Sequence, residues 1–347
     1  MLTCALEMFA NRGYYLGGRY HMRSDQLANL CLRDGTILEV QRVRPPVEEA
    51  LAEEVHGFIN GCLTEPYHRA VLTGRLDARA SVRYFLGRVG GQLAGTCWYA
   101  ASPANRTVGC LAGVVTAENQ RRKGMARALC SLALDDFHRR GGVAMYLAYA
   151  SDSARALYRS MGFVARDGCV MRHVLPGADF DREYFAPAMR RWVTCATWND
   201  LARTVPLYLH PHEWHLLDAK AGVYSNRHVP STRCVGVFVT IWECVARCGG
   251  TWLLLGAEDG RIVGAGVLYP ETADMALVDF VLHPNHYDAA ETLLGALAEE
   301  ARRRSLRRIE CRFVPEDREK IALAVSAGLT ARDDSATGFL VAGRHIS

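Results

Sequence analysis

Residues 119–126 read NQRRKGMA: Arg121, Arg122 and Lys123 in a row, then Gly124, then Met125 and Ala126, which suit the start of a helix. Where a strand runs into a helix, such a stretch can meet an anion. The first helical turn leaves backbone N–H groups unpaired and carries partial positive charge, and a glycine lets ligand oxygens approach the chain. Successive N–H groups in the turn form a nest, to which the cations add. Taken alone, the cluster fits a solvated basic turn as well as it fits a phosphate site.

Other groupings offer less. His210, His212 and His215 lie close together with Glu213 in HPHEWH. These are zinc-ligand types, but the spacing fits no metal motif and Pro211 interrupts any helical face, so no metal is expected. Twelve cysteines run from Cys4 to Cys311 without a repeated spacing, and Cys244 and Cys248 have no matching second pair. They read as reduced, mostly structural thiols of a cytoplasmic protein. The run RRRSLRR at 302–308 falls at a helix C-terminus, where cations complement the dipole.

The elements that position NQRRKGMA follow from periodicity. TILEVQRV alternates as a strand, Pro45-Pro46 break it, and VEEALAEEVHGFI has helical spacing. YFLGRVGGQLAGTCWYA reads as two strands turning at Gly90-Gly91, and VGCLAGVVT as a third. The helix ARALCSLALDDFHRRG, the strand AMYLAYA, the helix SARALYRS and a strand through CVMRHVL complete the set. Ahead of it, SDQLANLCLRDG looks like a short helix capped by Ser24 and ended by Gly35, and GYYLGGRYHM like a hairpin over Gly17-Gly18. A polar, proline-bounded stretch at 176–187 reads as a linker. The order then repeats, with a hairpin over Asp259-Gly260 and Gly328-Leu329 standing where Gly162-Phe163 stood. The period is about 165 residues, the size of one domain.

With the strand AGVVT before it and SDSARALYRSMGF after it, the basic turn resembles the pyrophosphate loop of GNAT-type N-acetyltransferases. That loop reads Q/R-x-x-G-x-G/A, which Arg121, Gly124 and Ala126 satisfy. The family's second signature, N-x-x-A-x-x-L-Y-x-x-x-G-F, is met by Ala154, Leu157, Tyr158, Gly162 and Phe163, with Ser151 in place of the Asn. The resemblance implies acetyl-CoA as co-substrate and acetyl transfer to the primary amine of a small molecule. It implies that Val114, Val115 and Thr116 offer backbone groups to the pantetheine arm, that Arg121 to Ala126 hold the pyrophosphate, and that Ser151 and Ala154 lie in the cofactor-binding region. Tyr158 would be the general acid: a phenol with a pKa near 10 can protonate a departing thiolate at neutral pH. Beside that role stands a plain one, an aromatic side chain packing on Phe163.

The strand CLAGVVT carries no Asp or Glu, so the sequence assigns no general base; Glu118 lies in the loop, and water, backbone carbonyls or the other domain are the remaining sources. Glu48, Glu49, Glu53 and Glu54 lie in the helix that lines the acceptor side in the family. They would either recruit a cationic amine or simply form the acidic first turns of an exposed helix.

The second copy reads LHPNHYDAAETL at the equivalent loop, without Arg, Lys or Gly, and has Ala324 at the place of Tyr158. It reads as a degenerate scaffold, so one active site is expected, in the first copy.

The expected fold is α/β with mixed sheets: an extension at 1–35, a catalytic GNAT-like domain at 36–175, a linker at 176–187 and a degenerate GNAT-like domain at 188–347. A net charge of +4 over 347 residues gives no support for a nucleic-acid or membrane partner. No stretch approaches the roughly 20 apolar residues of a membrane span. MLTCALEMFANRG lacks a cationic start and places Glu7 within its apolar stretch, so no signal peptide is expected. A monomer or homodimer is anticipated. Alternatives are a protein or peptide amine as acceptor, a longer acyl donor, or a non-catalytic acyl-CoA sensor.

Overall fold

The computed structural model describes residues 24–63, 67–76, 81–166, 168–210, 214–218, 220–221, 223–225, 234–334 and 339–346. The hairpin expected over Gly17-Gly18 lies outside them. Ser24 to Cys31, expected as a helix, form strand β1 (Ser24–Cys31), antiparallel to β2 (Ile37–Val43). The capping serine misled: what fixes these residues is a ladder to a strand further along the chain, reinforced by Arg42 reaching Asp25 at 2.5 Å across it.

The chain continues through α1 (Glu49–Asn60), α2 (His68–Leu72), β3 (Ser81–Val89), β4 (Gln92–Ala101) and β5 (Val108–Thr116). Then come α3 (Met125–Arg139), β6 (Ala144–Ala148), α4 (Asp152–Arg159), β7 (Val164–Ala165) and β8 (Val170–Val174). The sheet order is β1-β2-β3-β4-β5-β6-β8-β7, and among the described residues its one parallel pair is β5 with β6. Buried Met125, Leu129, Cys130, Ala133, Leu134 and Phe137 recur at helical spacing, so one face of α3 covers the sheet. Gly95 makes that close contact possible, since a Cβ there would lie 2.5 Å from Met125 Sδ. Phe85, Cys97, Tyr99 and Leu111 join the α3 residues in one core cluster. Tyr84 and Trp98 alternate with them and face the other side.

The remaining elements are α5 (Phe180–Tyr184), β9 (Arg191–Cys195), α6 (Leu201–Leu209), β10 (Leu216–Asp218), β11 (Val223–Ser225) and α7 (Cys234–Cys248). They are followed by β12 (Thr251–Ala257), β13 (Ile262–Pro270), β14 (Met275–Leu282), α8 (Ala290–Arg303), β15 (Arg308–Phe313), α9 (Arg318–Ser326), β16 (Thr330–Asp334) and β17 (Phe339–His345). The second sheet runs β9-β12-β13-β14-β15-β17-β16, with β14 and β15 its parallel pair. From β2 to β7 the first sheet follows the same plan. The fold is therefore α/β, two mixed sheets each flanked by helices.

Chain contacts divide the molecule into two compact units. The first runs through Ala178 and takes in Trp198–Ala202; the second holds Asp179–Thr197 and the chain from Arg203 onward. Within the segment read as a linker, α5 forms and buries Phe180 and Tyr184. No helix among the described residues is long and apolar enough to cross a membrane.

Candidate active site

The site is built around β5. Its ladder with β4 jumps from Val115 opposite Thr96 to Ala112 opposite Trp98, so Gly113 and Val114 together oppose Cys97. This is a β-bulge, which bends a strand and re-aims its groups. Gly113 takes φ +57, and a Cβ there would lie 2.4 Å from the Trp98 indole. Thr96 Oγ1 donates to the Gly113 carbonyl at 2.9 Å and pins the bulge. On its other edge β5 pairs with β6 only at Val108, Gly109 and Cys110. Beyond Cys110 the two strands part, freeing backbone groups of β5 along the stretch that contains Val114, Val115 and Thr116. Val114 and Thr116 are half-buried and Val115 is buried.

The strand then enters the basic turn. Arg122 has φ +68, a left-handed conformation uncommon for a side-chain-bearing residue, and Gly124 has φ +96 as the N-cap of α3. That cap supplies no side-chain acceptor. The intrahelical bonding at this end starts with Ala128 N–H to the Gly124 carbonyl, so the N–H groups of Met125, Ala126 and Arg127 face outward from the first turn. Arg121 and Arg122 are exposed, Lys123, Gly124 and Ala126 half-buried, and Met125 is buried in the core.

The cations are not equally available. Lys123 pairs with Asp34 at 2.9 Å, and this hydrogen bond above all holds the Asp34 carboxyl down at about 2. Arg121 lies 4.0 Å from the exposed Glu118. Among the described residues Arg122 has no ion pair. Sequence reasoning missed a further cation: Arg33, in the β1–β2 turn, donates its N–H to the Lys123 carbonyl at 3.2 Å. Its side chain lies 3.8 Å from where a Cβ of Gly124 would be. The only local sign was a turn-forming RDG some ninety residues away, with nothing to connect it to the loop.

Ser151 is the N-cap of α4, its Oγ accepting from Ala154 N–H at 3.3 Å. Tyr158 is 5% exposed and belongs to the core cluster on which Val114, Ala154 and Leu157 also pack. Its ring lies 5.9 Å from that of Phe163. The structure thus gathers Val114, Ala154 and Tyr158 around one core.

On the opposite sheet face a second missed group appears. His68 is fully buried, and its Nδ1 lies 2.8 Å from the Tyr84 hydroxyl. Its ring is 5.5 Å from that of Trp98, which covers Gly113. No motif surrounds His68, so only the folded sheet reveals its place beside the bulge.

Several other groups are committed elsewhere. Glu49 and Glu53 pair with Arg69, and Glu54 accepts from Arg88 at 2.7 Å. His215 meets Asp317 at 2.9 Å, and the His210 ring lies tilted against Phe185 and His283. His212 and Glu213 lie outside the described residues. No group of three His, Cys, Asp or Glu among the described residues is placed to hold a metal.

The second unit treats the same positions differently. Its loop, Pro284–Ala289, is closed by its own side chains: His283 accepts from Asn285 N–H at 3.2 Å and Asn285 donates to the Phe185 carbonyl at 2.8 Å. Asp288 pairs with Arg191 at 2.6 Å. Ala324, in the place of Tyr158, is fully buried.

A mixed sheet with a parted parallel pair, a bulge and an open donor loop defines a unit suited to an extended ligand ending in phosphate. In keeping with that class, residues 48–163 match the acetyltransferase (GNAT) family. Similar solved structures include the GNAT domain of S. lividans PAT, 20% identical, covering 44% of this chain and 89% of that one, with a TM-score of 0.34. Another is a phosphinothricin acetyltransferase from Sinorhizobium meliloti in complex with acetyl-CoA: 15% identity, 46% and 90% coverage, TM-score 0.37. A third is the Campylobacter jejuni N-acetyltransferase PseH with acetyl-CoA, at 11% identity, 31% and 77% coverage and a TM-score of 0.28. No curated protein matches the chain.

Proposed function

We propose that the first unit, with its catalytic domain at 36–175, transfers an acetyl group from acetyl-CoA to the primary amine of a small molecule. The observation that carries this reading is the turn of outward N–H groups into which the bulged strand β5 leads, once it has parted from β6 after Cys110. In this reading the turn from Arg121 to Ala126 holds the pyrophosphate, with Arg33 and Arg122 as cations that have no ion pair among the described residues. The pantetheine arm lies along the freed edge of β5 at Val114, Val115 and Thr116, near Ser151 and Ala154.

The amine nitrogen attacks the thioester carbonyl, and an N–H of the bulged strand stabilises the oxyanion. The tetrahedral intermediate collapses by breaking the C–S bond. Tyr158 gives the departing thiolate a proton, and the nitrogen loses one. The products are the amide and free CoA thiol. The His68–Tyr84 pair is the candidate relay for the nitrogen's proton, since β5 itself offers no carboxylate. The domain at 188–347, joined through 176–187, is a degenerate scaffold in this account.

The test is thiol release from acetyl-CoA against a panel of metabolite amines, followed with a thiol-reactive dye, with the acetylated product identified by mass. Turnover on a small primary amine is expected. Stabilisation by acetyl-CoA with no thiol release on small amines, peptide amines or longer acyl donors would replace this reading with an acyl-CoA sensor.

A further inference from the structure

At the end of α3 opposite the basic turn, five arginines gather around two carboxylates. Asp136, 2% exposed, accepts from the Tyr99 hydroxyl at 2.6 Å and from Arg140 Nε at 3.0 Å. It also pairs with Arg42, and Arg83 Nε lies 3.5 Å away. Asp25 takes Arg42 at 2.5 Å and Arg44 at 3.7 Å. Arg106 joins Arg83 and Arg140 on the wall of a cavity of about 70 Å³, floored by Tyr99, Ala101 and Phe137.

Arg42, Arg44, Arg83, Arg106 and Arg140 carry five positive charges; Asp25 and Asp136 return two, which leaves an excess of three. Arg83 bears the cost: burial lowers its pKa and Arg140 and Arg44 push the same way, outweighing the opposing pull of Tyr99 and Asp136. The Nε atoms of Arg42, Arg44 and Arg83 are buried without a hydrogen-bond partner among the described residues. Uncompensated charge and unmatched donors in a half-buried site are unfavourable unless something accepts from them. About 10–15 Å³ suffices for one water, so the cavity has room for a five-atom oxyanion. Guanidinium forks match the oxygens of such an anion better than any other side chain does.

We propose that this cavity is a binding site for a small multivalent oxyanion of the phosphate class, held by Arg83, Arg106 and Arg140. A helix of 15 residues is about 22 Å long, so the site is distinct from the turn at the N-terminus of α3. The inference does not depend on acetyl transfer. Bound there, the anion would tie α3 to β3 and to the connection between β4 and β5, and hold the helix that presents the basic turn.

The test is melting of the full chain in sodium phosphate against sodium chloride of equal ionic strength. Phosphate is expected to raise the Tm by about 3 °C at saturation. The rise should persist under saturating CoA and in the double variant Arg121→Ala/Arg122→Ala. It should vanish in Arg83→Gln and in Arg106→Gln; Arg106 is exposed, so its variant folds as the parent does. Calorimetric titration with inorganic phosphate should show at least tenfold weaker binding in both. No rise above the chloride control, a rise retained in Arg106→Gln, or a rise lost in the double variant would each overturn the proposal, the last by placing the anion at the turn.

Discussion

The two units share a strand plan and differ where β4 meets β5 and β13 meets β14. In the first, two residues of β5 oppose one of β4 at Gly113, and the strand opens into a turn whose N–H groups face outward. In the second, β13 and β14 keep one register from Gly264 opposite Leu282 to Pro270 opposite Ala276, and the turn beyond is closed by His283, Asn285 and Asp288. The parting of the parallel pair survives in both: β14 and β15 pair only from Met275 to Val278. What the strand plan imposes on both units therefore cannot by itself make a site. The bulge and the open turn, which cost stability locally, are what a ligand would repay.

Breaking the first unit chemically should have the largest effect. Tyr158→Phe keeps the packing on Phe163 and removes only the proton, so kcat should fall about 100-fold with KM for acetyl-CoA nearly unchanged. Stopped-flow thiol release measures it; a change confined to KM would leave Tyr158 a packing residue. Next in size, Gly113→Ala forces a Cβ against the Trp98 indole at a left-handed φ. Relief requires the bulge to shift, at about 2 kcal/mol of stability and about a 30-fold loss in kcat/KM. Guanidinium melts and steady-state kinetics on one preparation separate the two losses. Wild-type kinetics after that shift would mean that the bulge is not part of the site.

How much of this was legible depended on sequence distance. NQRRKGMA and ALYRSMGF are local patterns, and the hairpins over Gly90-Gly91 and Asp259-Gly260 announce themselves by turn residues flanked by alternation. A bulge is different, because it exists only in the register between two strands; no residue of CLAGVVT declares it. Arg33 and His68 were invisible for the same reason, since their partners Lys123 and Trp98 are joined to them by the sheet and not by spacing. SDQLANLC was misjudged because an edge strand, half-exposed on both faces, shows no clean alternation. CVGVFVTIWECVARC forms α7; its apolar, β-branched run reads as a strand and obscures the helical spacing that Thr240, Glu243 and Arg247 keep.

A smaller effect tests whether the β1–β2 turn belongs to the site. Arg33→Ala removes a cation beside Gly124 while leaving its backbone bond to Lys123, and should raise KM for acetyl-CoA about tenfold with kcat unchanged. The increase should shrink in high salt, because the site is exposed. The matching change in the second unit, Arg191→Met, should leave KM alone and only lower the Tm. Equal effects on KM from both would erase the distinction between the two loops.

The smallest effect concerns two buried aspartates that each accept a tyrosine hydroxyl from equivalent strands. Asp136 receives Tyr99 of β4, and Asp218 receives Tyr269 of β13 at 2.8 Å. Burial pushes both carboxyls up; at Asp136 the bonds from Tyr99 and Arg140, with the charge of Arg42, outweigh it and the pKa is lowered. Among the described residues no arginine pairs with Asp218, and burial takes it to about 6 despite the N–H of Ala221 and the Tyr269 hydroxyl. Between about pH 4 and pH 6 the folded chain therefore holds a proton there that the unfolded chain has released. Stability from this group is present below that window and is lost as pH rises through about 6. Asp218→Asn cannot ionise, so it should be more stable than the parent above pH 7 by about 1 kcal/mol, less than the full shift because one acceptor is also lost. The advantage should disappear near pH 4, and urea melts across that range would show it as a difference in slope. A difference that did not change with pH would mean that Asp218 titrates normally, and that the two aspartates differ in neighbours but not in charge.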